Sequence, residues 1–282
     1  MYIVHQIKDD MWFGFGITVP YGMATEYNPD WKLSDKGMNA EVKTFDFNPN
    51  IAVKLTDTLS FGAGVSLQYV TAQFESTKTV KTDTQGRIQT RIRLNADGWA
   101  WGGNLGFMWQ PTETVRVGLA YRSQVNHKAD GYLKTEMTAL DAGNRIVYSG
   151  KSNDGHAEMS GPHTITLTGT WKATDDLRLS GLVRWANWSS FDTLPISGSS
   201  MAATGKTETE AEYHWKDSWL FTVGADYDIN EQVTVRGGVG YEISPVDDDK
   251  YRSATIPDTD RLWLSVGATW RVNKQLQGDF GL

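Results

Sequence analysis

Five arginines have the residue type and spacing best suited to binding an anion. In segments where apolar and polar residues alternate, all five fall on the polar side: Arg116, Arg122, Arg178, Arg184 and Arg236. A guanidinium offers a carboxylate two parallel hydrogen bonds, so Arg122 or Arg184 could hold a carboxylate head group. The alternative is that these arginines form ion pairs within the protein, with carboxylates such as Asp226 and Glu242.

A proline and a glycine interrupt the first of these alternating segments, residues 13–27. Pro20, Tyr21 and Gly22 stand near the middle of the segment rather than at an end. Proline lacks the N–H that a strand ladder needs, and glycine permits backbone angles at which a strand bulges. The triplet therefore predicts a kink that opens a gap between this strand and its neighbour. An ordinary bulge is the alternative interpretation.

Signatures of catalysis and metal binding are missing from the sequence. It contains no GxSxG, HExxH, GxxxxGK[ST] or GxGxxG motif. It has no cysteine for thiol chemistry or metal ligation, and its histidines are scattered without ligand spacing. The run DDD at 247–249 could hold a divalent cation, but such a run is typical of a solvated loop. The sequence therefore predicts no enzyme, no cofactor and no metal.

The elements that must position these residues are strands with one apolar and one polar face. In SWLFTVGADYDI at 218–229, every odd-numbered residue is apolar and most even-numbered ones are polar or small. This period of two is typical of a β-strand. Ten segments share it, with fragments at both ends of the chain: 13–27, 45–55, 59–69, 99–109, 115–125, 164–171, 177–185, 218–229, 233–243 and 264–272.

The connections between these strands alternate in length. The short ones are 56–58, 111–114, 172–176, 230–232 and 273–275, and the long ones are 28–40, 70–97, 126–162, 189–213 and 244–261. Antiparallel strands with tight turns at one end and long loops at the other form an up-and-down sheet. Strands of about 9 to 15 residues can cross a bilayer when tilted. The predicted fold is all-β, a transmembrane antiparallel up-and-down β-barrel.

Composition separates this fold from the alternatives. No window approaches eighteen consecutive apolar residues, which excludes a transmembrane helix. A formal net charge of -7 without a basic stripe argues against a nucleic-acid binder. A soluble Trp-rich carbohydrate-binding β protein remains as an alternative. Tryptophans near the predicted strand ends instead favour the aromatic girdles of a membrane barrel: Trp12, Trp99, Trp109, Trp171, Trp185, Trp219, Trp263 and Trp270.

Five stretches, taken in order and with their spacing, carry a resemblance to a known family. They are WFGFGITVPYGMATEYN at 12–28, GWAWGGNLGFMWQP at 98–111, AYRSQV at 120–125, WANWSSFDTL at 185–194 and SPVDDDKYRSATIPDTDRLWLS at 244–265. Together they resemble the FadL-type outer-membrane transporters. The resemblance implies a monomeric 14-stranded barrel in the bacterial outer membrane. Such a barrel carries long-chain fatty acids or aromatic hydrocarbons inward, surrounded by outer-membrane lipid, and hydrolyses no nucleotide.

The resemblance also assigns roles to particular residues. The kink at Pro20, Tyr21 and Gly22 would form a lateral opening through which a hydrophobic ligand passes from the lumen into the membrane. Extracellular loops would capture the ligand, and Lys78 in the loop 70–97 joins Arg122 and Arg184 as a candidate head-group contact. The most specific stretch supplies a structural motif, whose last three members are expected to brace a corner between loop and strand: Ser244, Pro245, Arg252, Pro257, Asp258, Asp260 and Arg261.

Both ends of the sequence depart from the family pattern. FadL-type transporters begin with a signal peptide and an N-terminal hatch and finish with further strands, whereas MYIVHQIKDD at 1–10 and GDFGL at 278–282 match neither. We therefore interpret residues 1–282 as part of a single barrel domain that lacks the hatch, the first strands and the last strands. A general diffusion porin or a structural barrel, with polar faces lining an open channel, is the alternative function.

Overall fold

The computed structural model describes residues 1–28, 31, 38–82, 86–273 and 276–282. Within these ranges the chain forms one 17-stranded antiparallel sheet. No helix there is long and apolar enough to span a membrane. The strands are β1 (Tyr2–Lys8), β2 (Met11–Thr18), β3 (Gly22–Glu26), β4 (Asn39–Lys54), β5 (Leu59–Thr82), β6 (Gly86–Trp109), β7 (Val115–Arg122), β8 (Val125–Ala139), β9 (Arg145–Gly161), β10 (Thr164–Lys172), β11 (Leu177–Ala186), β12 (Thr193–Ser197), β13 (Glu208–Glu212), β14 (Ser218–Asp228), β15 (Val233–Ile243), β16 (Arg261–Arg271) and β17 (Gln277–Gly281).

Several of these strands are consecutive pieces of one wall strand. β2 and β3 both pair with β4, and β7 and β8 both pair with β6. In the same way β9 continues into β10, β11 into β12, and β13 into β14. Counted as wall strands, the described sheet has ten long members between the end strands β1 and β17. The predicted fold class and the predicted number of long strands are therefore confirmed.

The predicted short turns are confirmed where the structure describes them, and each is held by a side chain. The Thr56 hydroxyl accepts a hydrogen bond from the Leu59 N–H at 3.0 Å. Thr174 does the same for the Leu177 N–H at 3.0 Å, and the Asn230 carbonyl oxygen Oδ1 accepts from Val233 at 2.9 Å. Such contacts satisfy backbone donors that a tight turn leaves unpaired. Part of the turn 273–275 lies outside the described residues.

The prediction that 70–97 and 126–162 are long loops is wrong, because both segments are mostly strand. β5 and β6 pair over their whole length, and β8 and β9 form a hairpin beside them. Threonine, valine and isoleucine in these segments favour strand, and their inward residues continue the alternation. The segment 189–213 likewise contains β12 and β13. The predicted loop 28–40 falls largely outside the described residues.

The wall changes character along its length. A row of outward aromatic residues, Tyr69, Trp99 and Trp219, divides the wall into two parts. We call the part between this row and the short turns the turn half, and the part on the other side of the row the loop half. In the turn half, large apolar side chains face outward and are exposed, as Trp101 is at 78%. In the loop half the apolar side chains face inward and are buried in one cluster: Val42, Val70, Ala72, Leu94, Ala96, Ala129, Leu133, Ala157 and Met201.

Candidate functional site

A cavity of about 680 Å³ lies inside the turn half. Its lining includes Pro20 and Tyr21 from the predicted kink and Arg122 and Arg184 from the predicted arginines. The structure thus brings two groups of residues, predicted on separate grounds, into one space. The other two candidates are not among the described lining residues. Gly22 begins β3, and Lys78 is exposed on β5 in the loop half.

The kink is a bulge with one extra residue. Residues 19–21 of the kinked strand face only two residues of β4, Thr44 and Phe45. The Tyr21 N–H donates to the Thr44 hydroxyl at 3.0 Å. The Tyr21 carbonyl accepts from the Thr44 N–H at 3.0 Å and from the Thr44 hydroxyl at 2.8 Å. One threonine therefore holds the broken strand to its neighbour.

A loop contacts the inward face of β3. The edge of β3 away from β4 has no partner among the described strands, and β1 pairs with β2 no farther than Gly16. Instead the Thr25 hydroxyl donates to the Thr255 carbonyl at 2.9 Å, and the Tyr27 hydroxyl donates to the Ala254 carbonyl at 2.7 Å. The segment between β15 and β16 thus reaches across the mouth of the barrel to β3.

Arg122 is paired with a buried carboxylate. Its NH1 atom is 3.2 Å from Oδ2 of Asp46, whose side chain is fully buried, and the Ser66 hydroxyl lies 3.3 Å from the same oxygen. Arg236 is paired as well, with Asp226 at 3.1 Å. Both arginines are thus engaged within the protein, as the alternative interpretation of these residues predicts.

Arg184 has no hydrogen bond or ion pair among the described residues, and its side chain is exposed to the cavity. It lies in register between Thr166 of β10 and Leu220 of β14, which also line the cavity. The cavity carboxylate Glu242 is already engaged, by Arg261 NH1 and by Trp263 Nε1, both at 3.1 Å. Arg184 is therefore the cavity guanidinium with its donors available to an anion.

Aromatic rings connect the kink to the loop half. Tyr21 meets Trp188 edge-on, with 5.7 Å between ring centroids. Trp188 contacts Trp215 at 5.3 Å, and Phe191 contacts Trp215 at 4.9 Å and Tyr213 at 5.0 Å. Met159 and Ile196 pack against both this group and the inward cluster of the loop half. We call these five aromatic residues the ring track. Its ring contacts run without a break from the buried interior of the loop half to the bulge.

The structural motif around residues 244–261 is held by hydrogen bonds to two carboxylates. The Ser244 hydroxyl donates to Asp258 Oδ2 at 2.9 Å, and the Ser244 N–H donates to Asp260 Oδ1 at 2.9 Å. The Tyr241 hydroxyl donates to Asp260 Oδ2 at 2.6 Å. These hydrogen bonds lower the pKa of Asp260. Arg261 is ion-paired to Asp258. The contacts join the loop to the ends of β15 and β16.

Two parts of the site were not predicted from the sequence. Asp46 looked like one polar residue among many on β4, and its partner Arg122 is 76 positions away. The four members of the ring track other than Tyr21 were also missed, although they stand close together in the stretches WANWSSF at 185–191 and YHW at 213–215. Aromatic residues in a segment read as a polar loop were the available signal.

A family model described as "Outer membrane protein transport protein (OMPP1/FadL/TodX)" matches residues 1–282. Among curated relatives, Outer membrane protein P1 of Haemophilus influenzae is 27% identical over 100% of this chain and 64% of its own length. The Long-chain fatty acid transport protein of Salmonella typhi is 29% identical over 100% of this chain and 68% of its own length. The chain therefore spans about two thirds of the length of these relatives.

Solved structures agree on the fold. A Pseudomonas aeruginosa FadL homologue has a TM-score of 0.85 and 24% identity, covering 99% of this chain and 67% of that one. The toluene transporter TbuX of Ralstonia pickettii has a TM-score of 0.71 and 20% identity, covering 99% and 74%. The fatty acid and toluene relatives are named as transport proteins and not as enzymes, as predicted.

Proposed function

Because this chain belongs to the OMPP1/FadL/TodX family of outer-membrane proteins, we propose that the whole protein carries long-chain fatty acids or other hydrophobic compounds inward across the outer membrane. Extracellular residues capture the ligand, and the kink at Pro20, Tyr21 and Gly22 releases it sideways into the membrane. The turn half is the membrane-spanning part. The protein works without a cofactor, as a monomer surrounded by outer-membrane lipid.

The observation that carries this proposal is the shared cavity. Pro20 and Tyr21 at the bulge line the same space as Arg184, and Trp188 lies at its edge as part of the ring track. A hydrocarbon chain loses roughly 0.8 kcal/mol per CH₂ when it returns to water. A path along aromatic rings to a break in the wall avoids that loss, whereas an aqueous exit does not.

Capture is assigned to the half-buried rings of the ring track, Trp188 and Trp215, rather than to Lys78. Behind these rings, Phe191 and Tyr213 are 3% exposed and form an apolar cluster with Leu194 in the loop half. Lys78 is exposed on β5 and is not among the described residues lining the cavity. An apolar tail is therefore better matched to the ring track.

Uptake by cells that lack their own transporter tests the release step. The full-length protein should restore uptake of a labelled long-chain fatty acid, and Pro20→Thr with Gly22→Val should reduce it. Pro49→Thr, which alters a proline inside β4 away from the bulge, is the matched control and should leave uptake unchanged. Uptake that survives the double substitution, at equal amounts of inserted barrel, argues against lateral release.

The choice between a fatty acid and a hydrocarbon depends on Arg184. Its donors lack an ion-pair or hydrogen-bond partner among the described residues, so a carboxylate head group fits beside Thr166 and Leu220. Arg184→Gln should lower uptake of the fatty acid and spare uptake of toluene, while Arg178→Gln near the turn end of β11 serves as control. Equal loss of both ligands, or loss of neither, contradicts a head-group role for Arg184.

Ion conductance separates transport from the porin alternative. A transporter whose lumen is occupied by side chains should pass few ions, whereas a general diffusion porin conducts steadily through its polar lumen. Steady single-channel conductance of the full-length protein in planar bilayers, together with absent uptake, would replace the transport proposal with the porin function.

A further inference from the structure

The outer face of the loop half carries a charged cluster. Its members lie on four neighbouring strands, β5, β6, β8 and β9: Glu75, Arg91, Arg93, Lys134, Glu136 and Lys151. Alternation along β6 places Arg91 and Arg93 on the same side as Trp99, opposite the buried Leu94. The cluster therefore faces the surroundings of the barrel and not its lumen.

Cations outnumber carboxylates in this cluster by four to two. Glu75 Oε1 is shared by two guanidinium groups, at 3.1 Å from Arg93 Nε and 3.4 Å from Arg91 Nε. These two Nε atoms are buried and have no hydrogen-bond partner among the described residues. Lys134 is 3.3 Å from Glu136, and Lys151 lies over the Tyr132 ring at 4.0 Å. The cluster thus keeps an excess of positive charge.

The height of the cluster above the membrane follows from strand geometry. Arg93 is six residues beyond Trp99 along β6, which is about 20 Å at roughly 3.3 Å per residue. A strand tilt near 40° reduces this to about 15 Å above the aromatic girdle. Aromatic girdles mark the boundary of the hydrocarbon core. The cluster therefore lies at the level of the sugar and phosphate groups of the outer leaflet.

We propose that this cluster binds the phosphorylated inner sugars of lipopolysaccharide, the anionic glycolipid of the outer leaflet. Arginine forks match phosphate oxygens in pairs, and the two lysines add mobile point charges. The cluster is polar and carries a net positive charge, so it is matched to an anionic head group and not to acyl chains. The inference rests on the outer-membrane location of the family and is independent of the cargo.

Binding of purified lipopolysaccharide to the full-length protein in detergent, measured over a range of salt concentrations, tests the proposal. Lys134→Gln with Lys151→Gln should weaken binding roughly tenfold and flatten its salt dependence, since each removes one cation near the phosphates. Lys54→Gln with Lys172→Gln removes two exposed cations at the short turns and is the matched control. It should bind as the unaltered protein does.

A second variant distinguishes a loss of lipopolysaccharide binding from a folding defect. Glu75→Gln with Arg91→Gln and Arg93→Gln removes the shared carboxylate together with its partners, so that no buried charge is left alone. It should also lose binding while keeping the heat-modifiable mobility of a folded barrel. Lipopolysaccharide stripped of phosphate should bind weakly to all forms. The proposal is overturned if both cluster variants bind normally, or if phosphatidylglycerol binds as tightly as lipopolysaccharide.

Discussion

The turn half and the loop half are built from the same wall strands but follow opposite rules. Trp101 in the turn half is 78% exposed on the outer face, whereas Leu133 in the loop half is 0% exposed on the inner face. The solvent outside explains the difference. Lipid surrounds the turn half, so apolar side chains face outward, while water surrounds the loop half, so they must be buried within the wall.

The charged residues follow the same division. Inside the turn half they line the lumen, as Arg122 and Asp46 do, whereas in the loop half Arg91, Arg93 and Lys134 stand on the outer face. A single barrel therefore contains an inverted part and a conventional one, stacked along its axis. Substitutions compared between the two halves, either removing an apolar side chain or adding an outward charge, should show where the boundary between the turn half and the loop half lies.

The largest effect is expected from removing a buried side chain of the loop half. Leu133→Ala leaves a cavity in the inward cluster and should destabilise this region by about 2–5 kcal/mol. Leu119→Ala on the exposed outer face of the turn half leaves no cavity and should cost less. Protease cleavage between β8 and β9 on intact cells, measured over time, compares them. Equal cleavage rates for the two variants would mean that the inward cluster does not stabilise the loop half.

A charge on the outer face should be harmful only in the turn half. Leu167→Lys places an ammonium group in lipid and should destabilise the barrel by about 2–4 kcal/mol if the residue lies near the bilayer midplane. Tyr132→Lys, on the outer face of the loop half, should be tolerated. Denaturant unfolding of both full-length proteins in lipid vesicles measures the difference. Tolerance of lysine at position 167 would contradict the lipid-facing assignment.

A smaller effect is expected where the loop between β15 and β16 joins the wall. Ser244→Ala removes the donor to Asp258 and the acceptor of the Val246 N–H, which should cost about 1–3 kcal/mol. The loop should then separate from β3 more often. Hydrogen exchange at the Thr255 amide, in the part of the loop that contacts β3, measures that opening, and Ser265→Ala on β16, whose hydroxyl lies 3.5 Å from the Gly238 carbonyl, is the control. Unchanged exchange after Ser244→Ala would leave the motif without a bracing role.

The smallest effect concerns a half-buried histidine of the loop half. His156 lies 2.7 Å from Asp130 and 3.1 Å from Glu158, which also contacts Lys128. Hydrogen bonds to these carboxylates raise the pKa of His156. The stabilisation is therefore complete below the ordinary histidine pKa of about 6.5 and is lost as pH rises through the raised value.

Hydrogen exchange of the β8 and β9 amides across that pH range measures this loss. Exchange, corrected for its intrinsic pH dependence, should increase above about pH 6.5. His156→Gln should remove the additional dependence. A histidine variant that keeps the full pH response would assign it to another group.

The fold was predictable because its signal is local. Alternation and turn spacing in the turn half indicate a membrane barrel, and the family resemblance seen in the sequence is confirmed. The loop half was misread as loops because its inward residues are often small, as at Ala72, Ala96 and Ala129. Alanine on a polar strand gives little apolar contrast, so the period of two is weak there.

The candidate site was only partly predictable for a different reason. Proline and glycine at 20–22 identify a kink from local backbone chemistry. The pairing of Arg122 with Asp46 and the freedom of Arg184 depend on which strands face one another across the lumen. Neither can be read from spacing along the chain. The roles of these residues in transport stay predictions, as does the single-domain interpretation of residues 1–282.

The bulge at 19–21 also resets the phase of its strand. Before it, Ile17 pairs with the outward Phe47; after it, Met23 pairs with the inward Val42 and packs on the buried cluster. Odd-numbered residues thus change sides, because a single extra residue is half of a strand's two-residue period. Straightening the strand at its present length would turn Met23 outward and Ala24 inward, whereas deleting one residue between Thr18 and Gly22 would remove the bulge and keep Met23 opposite Val42. At this position the number of residues in the strand, more than their types, decides which face each later side chain occupies.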